Sequence, residues 1–227
     1  YIFISYLCQI SNRNMKTRKI RTALYNVLPG EKAHALMAPR PKYIEGIEGV
    51  HPCPPVNSAI LALIVPFENE LALPLIKRVN RGKYHGGQIA FPGGKMEKED
   101  ADALQTALRE CHEEIGVPEE KVSILGVLSD IYIPLSNFNI TPIVGTTLQL
   151  PDFILSQDEV EKVILVKLRD LFDDRNKTTH SFVRHDHKII APGYKIGENF
   201  IWGATAMIIA ELEQLMKTNT FNHLGKL

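Results

Sequence analysis

Three glutamates, Glu110, Glu113 and Glu114, stand close together near the middle of the chain. On a helix they would lie within an arc of roughly 100°, because each residue turns the helix by about 100°. Like charges at this spacing repel one another and destabilise an isolated helix. A hard divalent cation such as Mg²⁺ or Mn²⁺ takes oxygen ligands and would offset that repulsion. The cluster therefore predicts a metal site; for the three glutamates taken alone, the alternative is a solvated acidic helix face.

Two neighbouring features favour the metal site. Arg109 adjoins the cluster, where its guanidinium can hold a carboxylate bidentately. Gly93 and Gly94 allow a tight turn and a close approach of the backbone to a ligand. Metal ions held by carboxylates neutralise diphosphate oxygens and lower the pKa of bound water, and a further carboxylate can accept the proton of the water. The predicted chemistry is hydrolysis of a diphosphate.

The glutamates are predicted to lie on a helix over residues 101–115. Asp100 is the predicted N-cap, Gly116 stands where a glycine would end the helix, and Pro118 prevents the helix from resuming. An apolar stripe at three- and four-residue spacing runs along this helix and should face the core. The stripe consists of Leu104, Ala107, Leu108, Cys111 and Ile115.

Strands predominate on both sides of this helix. Residues 58–67 (SAILALIVPF) form a nearly continuous apolar run, typical of a strand buried on both faces, and residues 70–78 follow as the second strand of a hairpin. The segments FVRHDHKII and YKI are predicted to form a second hairpin, and ATAMIIAELEQLMK a closing helix. Strands with one internal and one C-terminal helix indicate an α+β fold rather than a regular βαβ alternation.

The first 50 residues are predicted to be an extension with short helices, ahead of a main domain over residues 56–217. Residues 16–38 carry mixed charges with scattered leucine and alanine, which is typical of one or two short helices. The proline-rich run over residues 38–55 predicts an extended connector. The extension is interpreted either as a dimerisation arm, which would give a homodimer, or as a cap on the domain.

The overall composition narrows the range of partners. The chain has 26 basic and 26 acidic side chains, so its zero net charge gives no indication of a nucleic-acid or membrane partner. Three scattered cysteines are too few for a disulfide framework or a zinc site, which predicts reduced thiols and a cytoplasmic location. The apolar start, YIFISYLCQI, is too short to span a bilayer. The expected partner is a small molecule that carries a diphosphate.

Residues 109–117 (RECHEEIGV) resemble the signature of the Nudix hydrolase family, G-x5-E-x7-R-E-U-x-E-E-x-G-U, where U is aliphatic. They match its second half throughout, except that Cys111 fills an aliphatic position. The resemblance extends over roughly residues 56–217. It implies an α/β/α sandwich with a mixed β-sheet and a loop–helix–loop catalytic motif.

The first half of the signature departs from the family pattern. Counting back from the second half places Lys95 on the glycine position and Ala101 on the glutamate position. One inserted residue restores the match, because Gly94 then falls on the glycine and Asp100 on the acid. Glu99 is the alternative acid. Some CoA-diphosphatase-like members of the family have a similar longer spacing.

The resemblance also implies roles for the clustered residues. Glu110 and Glu114 would be the main metal ligands, Glu113 a further ligand or a base, and Arg109 would orient a glutamate. In many members a carboxylate outside the signature acts as the base, and SQDEVEKVILV resembles the region that supplies it. Glu159 is the candidate base, with Glu161 second. A solvated charge run before a strand is the alternative.

A second motif resembles that of CoA-directed members, L-L-T-x-R-S-x3-R-x3-G-x3-F-P-G-G. Aligned on residues 91–94, the chain keeps Arg78 and Gly87, while Lys83 replaces an arginine. Arg78 and Lys83 are therefore expected to bind the diphosphate or the 3′-phosphate of CoA, and ordinary loop cations are the alternative. The resemblance implies that CoA or a CoA derivative is cut to 3′,5′-ADP and phosphopantetheine.

Departures from this second motif keep other functions open. Pro74, Ile76 and Val79 replace a leucine, a threonine and a serine, which removes two hydroxyl donors. The first alternative is hydrolysis of ADP-ribose, a dinucleotide or a nucleoside triphosphate. The second, from another class, is a Nudix-fold module that binds nucleotides without cutting them. Trp202 is interpreted as a core anchor rather than a platform for base stacking.

Overall fold

The structure is a computed structural model that describes residues 17–40, 53–80, 87–184 and 187–221. Its helices are α1 (residues 17–24), α2 (Glu31–His34), α3 (Ala103–Ile115), α4 (Leu168–Leu171) and α5 (Ala204–Phe221). Its strands are β1 (Val56–Phe67), β2 (Glu70–Arg78), β3 (Ile89–Ala90), β4 (Gly93–Lys95), β5 (Ser123–Val127), β6 (Ile131–Ile133), β7 (Phe138–Thr146), β8 (Val160–Lys167), β9 (Lys177–Arg184), β10 (His187–Ile196) and β11 (Asn199–Trp202). The order matches the predicted α+β class.

Strand β1 is the centre of a mixed sheet. It pairs in parallel with β7 and antiparallel with β2 and β4. Its side chains alternate between two separate apolar cores, because successive residues of a strand point to opposite faces. Leu61 and Leu63 lie in the core beneath α3, whereas Ala62 and Ile64 lie in the core beneath α5. The prediction of a strand buried on both faces is confirmed.

Helices cover both faces of this sheet. On one face lies α3, whose apolar stripe packs as predicted, with Ala107 and Ile115 fully buried. On the other face lie α5 and α1, which contribute Leu212 and Ile20 to the second core. Cys111 is also fully buried, so it fills its aliphatic position as a small apolar side chain. The resulting α/β/α sandwich confirms the predicted fold class.

The first hairpin is confirmed and the second is corrected. Glu68 and Asn69 both have positive φ angles, 46° and 65°, as in the two-residue turns that match the twist of antiparallel strands. In the second hairpin, Arg184 of β9 pairs with His187 of β10, so the turn lies within FVRHDHKII. YKI continues β10, which then pairs with β11. The prediction failed because a polar run carries no apolar alternation from which to place its turn.

The ends of α3 correct one prediction and confirm another. The N-cap is Asp102, whose carboxylate accepts a hydrogen bond from the Gln105 amide. Asp100 was the wrong choice, since its carboxylate is bound to an arginine further along the helix. Gly116 ends the helix as predicted, with a left-handed φ of 72°.

The N-terminal residues that the structure describes belong to the same core. The two short helices predicted before residue 38 are present as α1 and α2. Ala23 and Met37 are buried against the α5 side of the sheet, and the backbone of Arg40 pairs with that of Ile190 in β10. Residues 41–52 of the predicted connector lie outside the described residues. Among the helices that the structure describes, none has the length and apolar character needed to cross a bilayer.

Replacing the glycine that ends α3 should destabilise the fold more than replacing a glycine of similar conformation elsewhere. Gly197→Ala adds a Cβ in open space at φ 57°, so we expect a loss of about 1–2 kcal/mol from backbone strain alone. In Gly116→Ala the Cβ would lie 2.7 Å from that of Ile154, and overpacking should add roughly 1–3 kcal/mol. Urea unfolding of both variants measures the difference. Equal losses would contradict this account of the helix end.

Candidate active site

A cleft of about 540 Å³ opens beside the N-terminal part of β1. The elements α3 and β4 supply one wall, which carries Glu110, Glu114 and the two glycines of β4. The β6–β7 hairpin and the start of α5 supply another wall, which is largely apolar. The cleft therefore joins the predicted carboxylate cluster to an apolar surface that the sequence pattern did not reveal.

The glycine pair lets α3 and β1 approach β4 from two sides. A Cβ on Gly93 would lie 2.4 Å from the carbonyl oxygen of Ala59 in β1. A Cβ on Gly94 would lie 2.4–2.5 Å from the carboxylate atoms of Glu110. Both distances are too short for a real contact, so glycine is needed at each position. At this turn the backbone does approach other groups closely, as predicted, and these groups include the protein's own carboxylates.

Glu114 is the most buried carboxylate of the cluster, with 1% of its surface exposed. Its Oε2 accepts a hydrogen bond of 2.8 Å from the Gly93 amide. Its Oε1 makes no hydrogen bond and lies 3.2 Å from the guanidinium Nη2 of Arg78. Burial raises the pKa of Glu114 to about 7, even though the Arg78 charge and the Gly93 amide act in the opposite direction. One oxygen of a buried carboxylate is thus left to interact with a cation.

Three carboxylates share this part of the cleft. Glu110 and Glu159 line it together with Glu114. Burial raises the pKa of Glu110, and repulsion from Glu113 and Glu159 adds to that effect. Repulsion from Glu110 and Glu159 likewise contributes to the raised pKa of Glu114. Mutual repulsion at a partly buried position is the condition that a bound cation would relieve.

Arg109 donates hydrogen bonds to three acidic residues on and near α3. It binds both oxygens of Asp100, at 3.0 Å from Nε and 2.9 Å from Nη2. Its Nη1 donates to Glu110 at 2.9 Å and to Glu113 at 3.0 Å, and its Nη2 reaches the Lys95 carbonyl. The hydrogen bonds from Arg109 hold the pKa of Asp100 well below its usual range, although burial opposes this. The geometry agrees with an orienting role for Arg109.

Two ambiguous acidic positions are now distinguished. Asp100 is buried and also accepts a hydrogen bond from Thr106, whereas Glu99 is exposed. Glu113 has 55% of its side chain exposed, is bound to Arg109 and does not line the cleft. Among the described residues, Asp100 is therefore the acid that completes the arginine network, and Glu113 lies at its outer edge.

The two candidate bases lie in different environments. Glu159 lines the cleft, and its carbonyl accepts a hydrogen bond from the Val79 amide, which ties it to the end of β2. Glu161 is 46% exposed and forms a 2.7 Å salt bridge with Lys77 outside the cleft. Position alone therefore favours Glu159 as the carboxylate that can reach a substrate.

The predicted phosphate-binding residues are only partly described. Arg78 lines the cleft and donates a 2.9 Å hydrogen bond to the Gly93 carbonyl, so it contacts both the glycine turn and Glu114. The Gly87 amide donates to the Arg78 carbonyl, and its φ of 74° is one that glycine readily adopts. Lys83 lies outside the described residues. The sequence did not single out Lys95 as a cleft residue, and the structure places it on the wall.

The apolar wall brings together side chains from distant parts of the chain. Trp202 is half-buried, lines the cleft and makes a T-shaped contact with Phe182, so it is more than the core anchor that the sequence predicted. Two hydroxyls on the wall are already used, since Ser58 donates to the Asn139 carbonyl and Thr205 to the Ile89 carbonyl. The apolar lining consists of Pro39, Ile60, Ile89, Ala90, Phe91, Ile133, Leu135, Phe138, Ile140, Trp202, Ala204, Met207 and Ile208.

The donor set suits a divalent cation. Oε1 of Glu114, which makes no hydrogen bond and has only the Arg78 charge beside it, lies in one cleft with the carboxylates of Glu110 and Glu159, and all three are hard oxygen donors. Within the described residues, no group of three or more acidic, histidine or cysteine side chains already stands in metal-ligand geometry. The reason is visible in the contacts, because Arg109 holds one oxygen each of Glu110 and Glu113.

The chain thus folds as an α/β/α sandwich in which a glycine turn and a glutamate-bearing helix face a cleft of about 540 Å³. The NUDIX domain family model matches residues 57–185. The chain therefore belongs to the Nudix family and is a Nudix hydrolase, a class of enzymes that act on nucleoside diphosphate-linked substrates and generally use divalent metals.

Relatives of the chain carry the same family name. It is 34% identical over 161 residues to an uncharacterized Nudix hydrolase NudL of Enterobacter sp. (strain 638), covering 69% of this chain and 82% of the relative. It is 35% identical over 158 residues to a NudL of Pectobacterium atrosepticum, covering 69% and 80%. A crystal structure of a NUDIX hydrolase from Nitrosomonas europaea is similar with a TM-score of 0.48 and 20% identity, covering 77% and 76%.

A methyl group on the second glycine of β4 should disturb the carboxylate wall without unfolding the protein. The Cβ of Gly94→Ala would displace the end of the Glu110 side chain, which is flexible, and Gly94 does not have a positive φ. We expect the activity to fall at least tenfold, because catalytic groups tolerate little displacement. The melting temperature should change little. A variant with full activity would show that the position of Glu110 is not critical.

Proposed function

We propose that this Nudix hydrolase cuts the diphosphate of coenzyme A or a CoA derivative, giving 3′,5′-ADP and 4′-phosphopantetheine or its acylated form. Mg²⁺ or Mn²⁺ would be held by Glu110 and Glu114, with Glu113 as a further ligand. When bound, the cation would neutralise the diphosphate oxygens and activate water. Arg78 and Lys83 would bind substrate phosphate, and Gly87, Gly93 and Gly94 would shape the loops around it.

The observation that carries this proposal is the pairing of the two cleft walls. A carboxylate wall with Arg78 at its edge suits a diphosphate bound with a cation. The facing wall is largely apolar and uses its Ser58 and Thr205 hydroxyl protons internally, so it suits a long, flexible group whose carbon chain packs against it. CoA combines a diphosphate with such an arm.

The departures from the CoA motif weigh less against this substrate than the sequence suggested. Ile76, which replaces a threonine, is fully buried in the core beneath α3. Val79, which replaces a serine, is not among the residues that line the cleft. A hydroxyl at either position would therefore have had no direct place in the described cleft. Arg78 and Gly87, which the chain retains, form the start and end of one loop through their backbone hydrogen bond.

The residues of the cleft suffice for a simple hydrolytic step. The oxygen of one water forms a bond to phosphorus, and the bridging P–O bond breaks. Glu159 accepts the proton of the water, because it is the carboxylate in the cleft that is bound neither to Arg109 nor to the glycine turn by a described side-chain contact. Arg109 keeps Glu110 in place through the 2.9 Å contact.

An alternative substrate class is supported by a separate observation. Trp202 and Phe138 give the apolar wall two aromatic rings, and such rings can stack on a nucleobase. This wall would also suit ADP-ribose, a dinucleotide or a nucleoside triphosphate. The same carboxylates would then cut a different diphosphate.

A substrate panel separates these possibilities. Purified protein with Mn²⁺ or Mg²⁺ is incubated with CoA, acetyl-CoA, ADP-ribose, diadenosine polyphosphates and deoxynucleoside triphosphates, and the products are identified by mass spectrometry. We expect 3′,5′-ADP and phosphopantetheine species to form fastest. If CoA stays intact while another diphosphate is cut, the CoA proposal is wrong and the carboxylate assignment stands.

Two neighbouring glutamates provide a matched test of the base. Glu159→Gln should lower kcat by about 10²- to 10⁴-fold, the usual contribution of a general base, with KM nearly unchanged. Glu161→Gln, two residues away and outside the cleft, should stay within about twofold of the wild type, since a surface salt bridge contributes little. Steady-state kinetics of both variants give the answer. Similar rates in the two variants would remove Glu159 from the mechanism.

A further inference from the structure

A buried carboxylate far from the signature helix ties together three segments of the chain. Glu211 of α5 has none of its surface exposed. It accepts hydrogen bonds from the Ser129 hydroxyl at 2.6 Å, from the Gly30 amide at 3.0 Å and from His34 Nε2 at 2.8 Å. The Ser129 amide also donates to it. We call these four residues the Glu211 tie.

Each of the three segments that the Glu211 tie joins also contributes a residue to the lining of the cleft. The segment that begins at Gly30 reaches Pro39, which lines the cleft. Ser129 lies two residues before the start of β6, whose Ile133 lines the cleft as well. Glu211 follows Ile208, another lining residue, by three positions on α5. The residues of the tie are themselves absent from the described lining, so they act on the cleft only through these segments.

The backbone around the tie is built for this arrangement. Gly30 has a φ of 52°, and a Cβ on it would lie 3.1 Å from the Ser129 hydroxyl oxygen. A side chain would therefore be strained there and would crowd the hydrogen bond to Glu211. At the other end of the same segment, the Arg40 and Ile190 backbones exchange two hydrogen bonds of 2.8 and 2.7 Å. Residues 30–40 are thus held at both ends.

The tie depends on a charged carboxylate. Burial alone would raise the pKa of Glu211, but the hydrogen bonds from His34 and Ser129 outweigh it and hold the pKa below its usual range. Hydrogen bonds to an ionised acceptor are roughly twice as strong as neutral ones. Ser129 donates its proton to Glu211 rather than to His34, so the arrangement is not that of an activated nucleophile.

We propose that Glu211 is a positioning residue for the Nudix reaction. Its hydrogen bonds hold the segments that carry Pro39 and Ile133 against α5. They thereby fix the position of the apolar wall, which sets the affinity for the part of the substrate that is not phosphate. Glu211 does not touch the carboxylate wall, which α3 and β4 build on the opposite face of the sheet. This role holds for any diphosphate that the enzyme cuts, so it does not depend on CoA being the substrate.

The test compares two buried glutamates on one helix. In Glu211→Gln an amide NH₂, which cannot accept a hydrogen bond, replaces one carboxylate oxygen. At least one donor of the Glu211 tie must therefore lose its acceptor. Glu213→Gln is the matched control, because Glu213 is 5% exposed and binds Lys177 and Lys217, which do not line the cleft. Kinetics are measured with CoA and with ADP-ribose, and Mn²⁺ affinity by electron paramagnetic resonance without substrate.

We expect Glu211→Gln to raise KM about tenfold with kcat within about twofold, which is the pattern of lost ground-state binding. Its Mn²⁺ affinity should match that of the wild type, and Glu213→Gln should change neither value. Hydrogen exchange in Glu211→Gln should rise in residues 30–40 and 129–135 but not in α3, a readout that needs no substrate.

Ser129→Ala, which removes one donor, keeps the idea testable if Glu211→Gln does not fold, and should raise KM by about threefold. An unchanged KM in both variants, an equal rise in Glu213→Gln, or a parallel loss of kcat and Mn²⁺ affinity would overturn the proposal.

Discussion

The carboxylate of Glu114 lies almost entirely inside the protein, and its burial constrains the elements around it. A buried carboxylate is costly unless donors or a cation satisfy it. The Gly93 amide satisfies one oxygen and the Arg78 charge lies near the other, which requires β4 and the end of β2 to meet α3 at this point. The glycines of β4 make that approach possible, since any side chain there would collide with β1 or with Glu110. Strand β4, the end of β2 and α3 therefore meet at this one buried carboxylate.

The elements on the two faces of the sheet form different walls of the cleft. The face beneath α3 carries the carboxylates and the arginine that orients them, on a helix whose apolar stripe is locked into the core. The elements over the other face form the apolar wall, and Glu211 links three of them by hydrogen bonds. Because β1 lies between the two cores, the carboxylate wall and the apolar wall are built from separate sets of contacts.

Residues that depart from the family pattern are explained by where their side chains lie. Cys111 occupies an aliphatic position and is buried in the core, where burial raises the pKa of its thiol to about 12 and keeps it protonated. Ile76 occupies a position where CoA-directed relatives have threonine, and it too faces the core. Asp100 serves as the signature acid by binding Arg109 rather than by capping the helix. The role of a motif residue therefore depends on the direction in which its side chain points in the fold.

The sequence by itself determined the family, the signature helix with its apolar stripe and its terminal glycine, and the buried central strand, because these depend on local periodicity and on chemical type. The tertiary structure decided the features that require residues distant in the sequence to come into contact. It placed Glu159 rather than Glu161 in the cleft, moved the N-cap from Asp100 to Asp102, and brought Trp202 to a cleft wall whose members, from Pro39 to Ile208, lie up to 169 positions apart in the sequence. The Glu211 tie has no local signal at all, since its partners at positions 30, 34 and 129 meet only after the chain has folded.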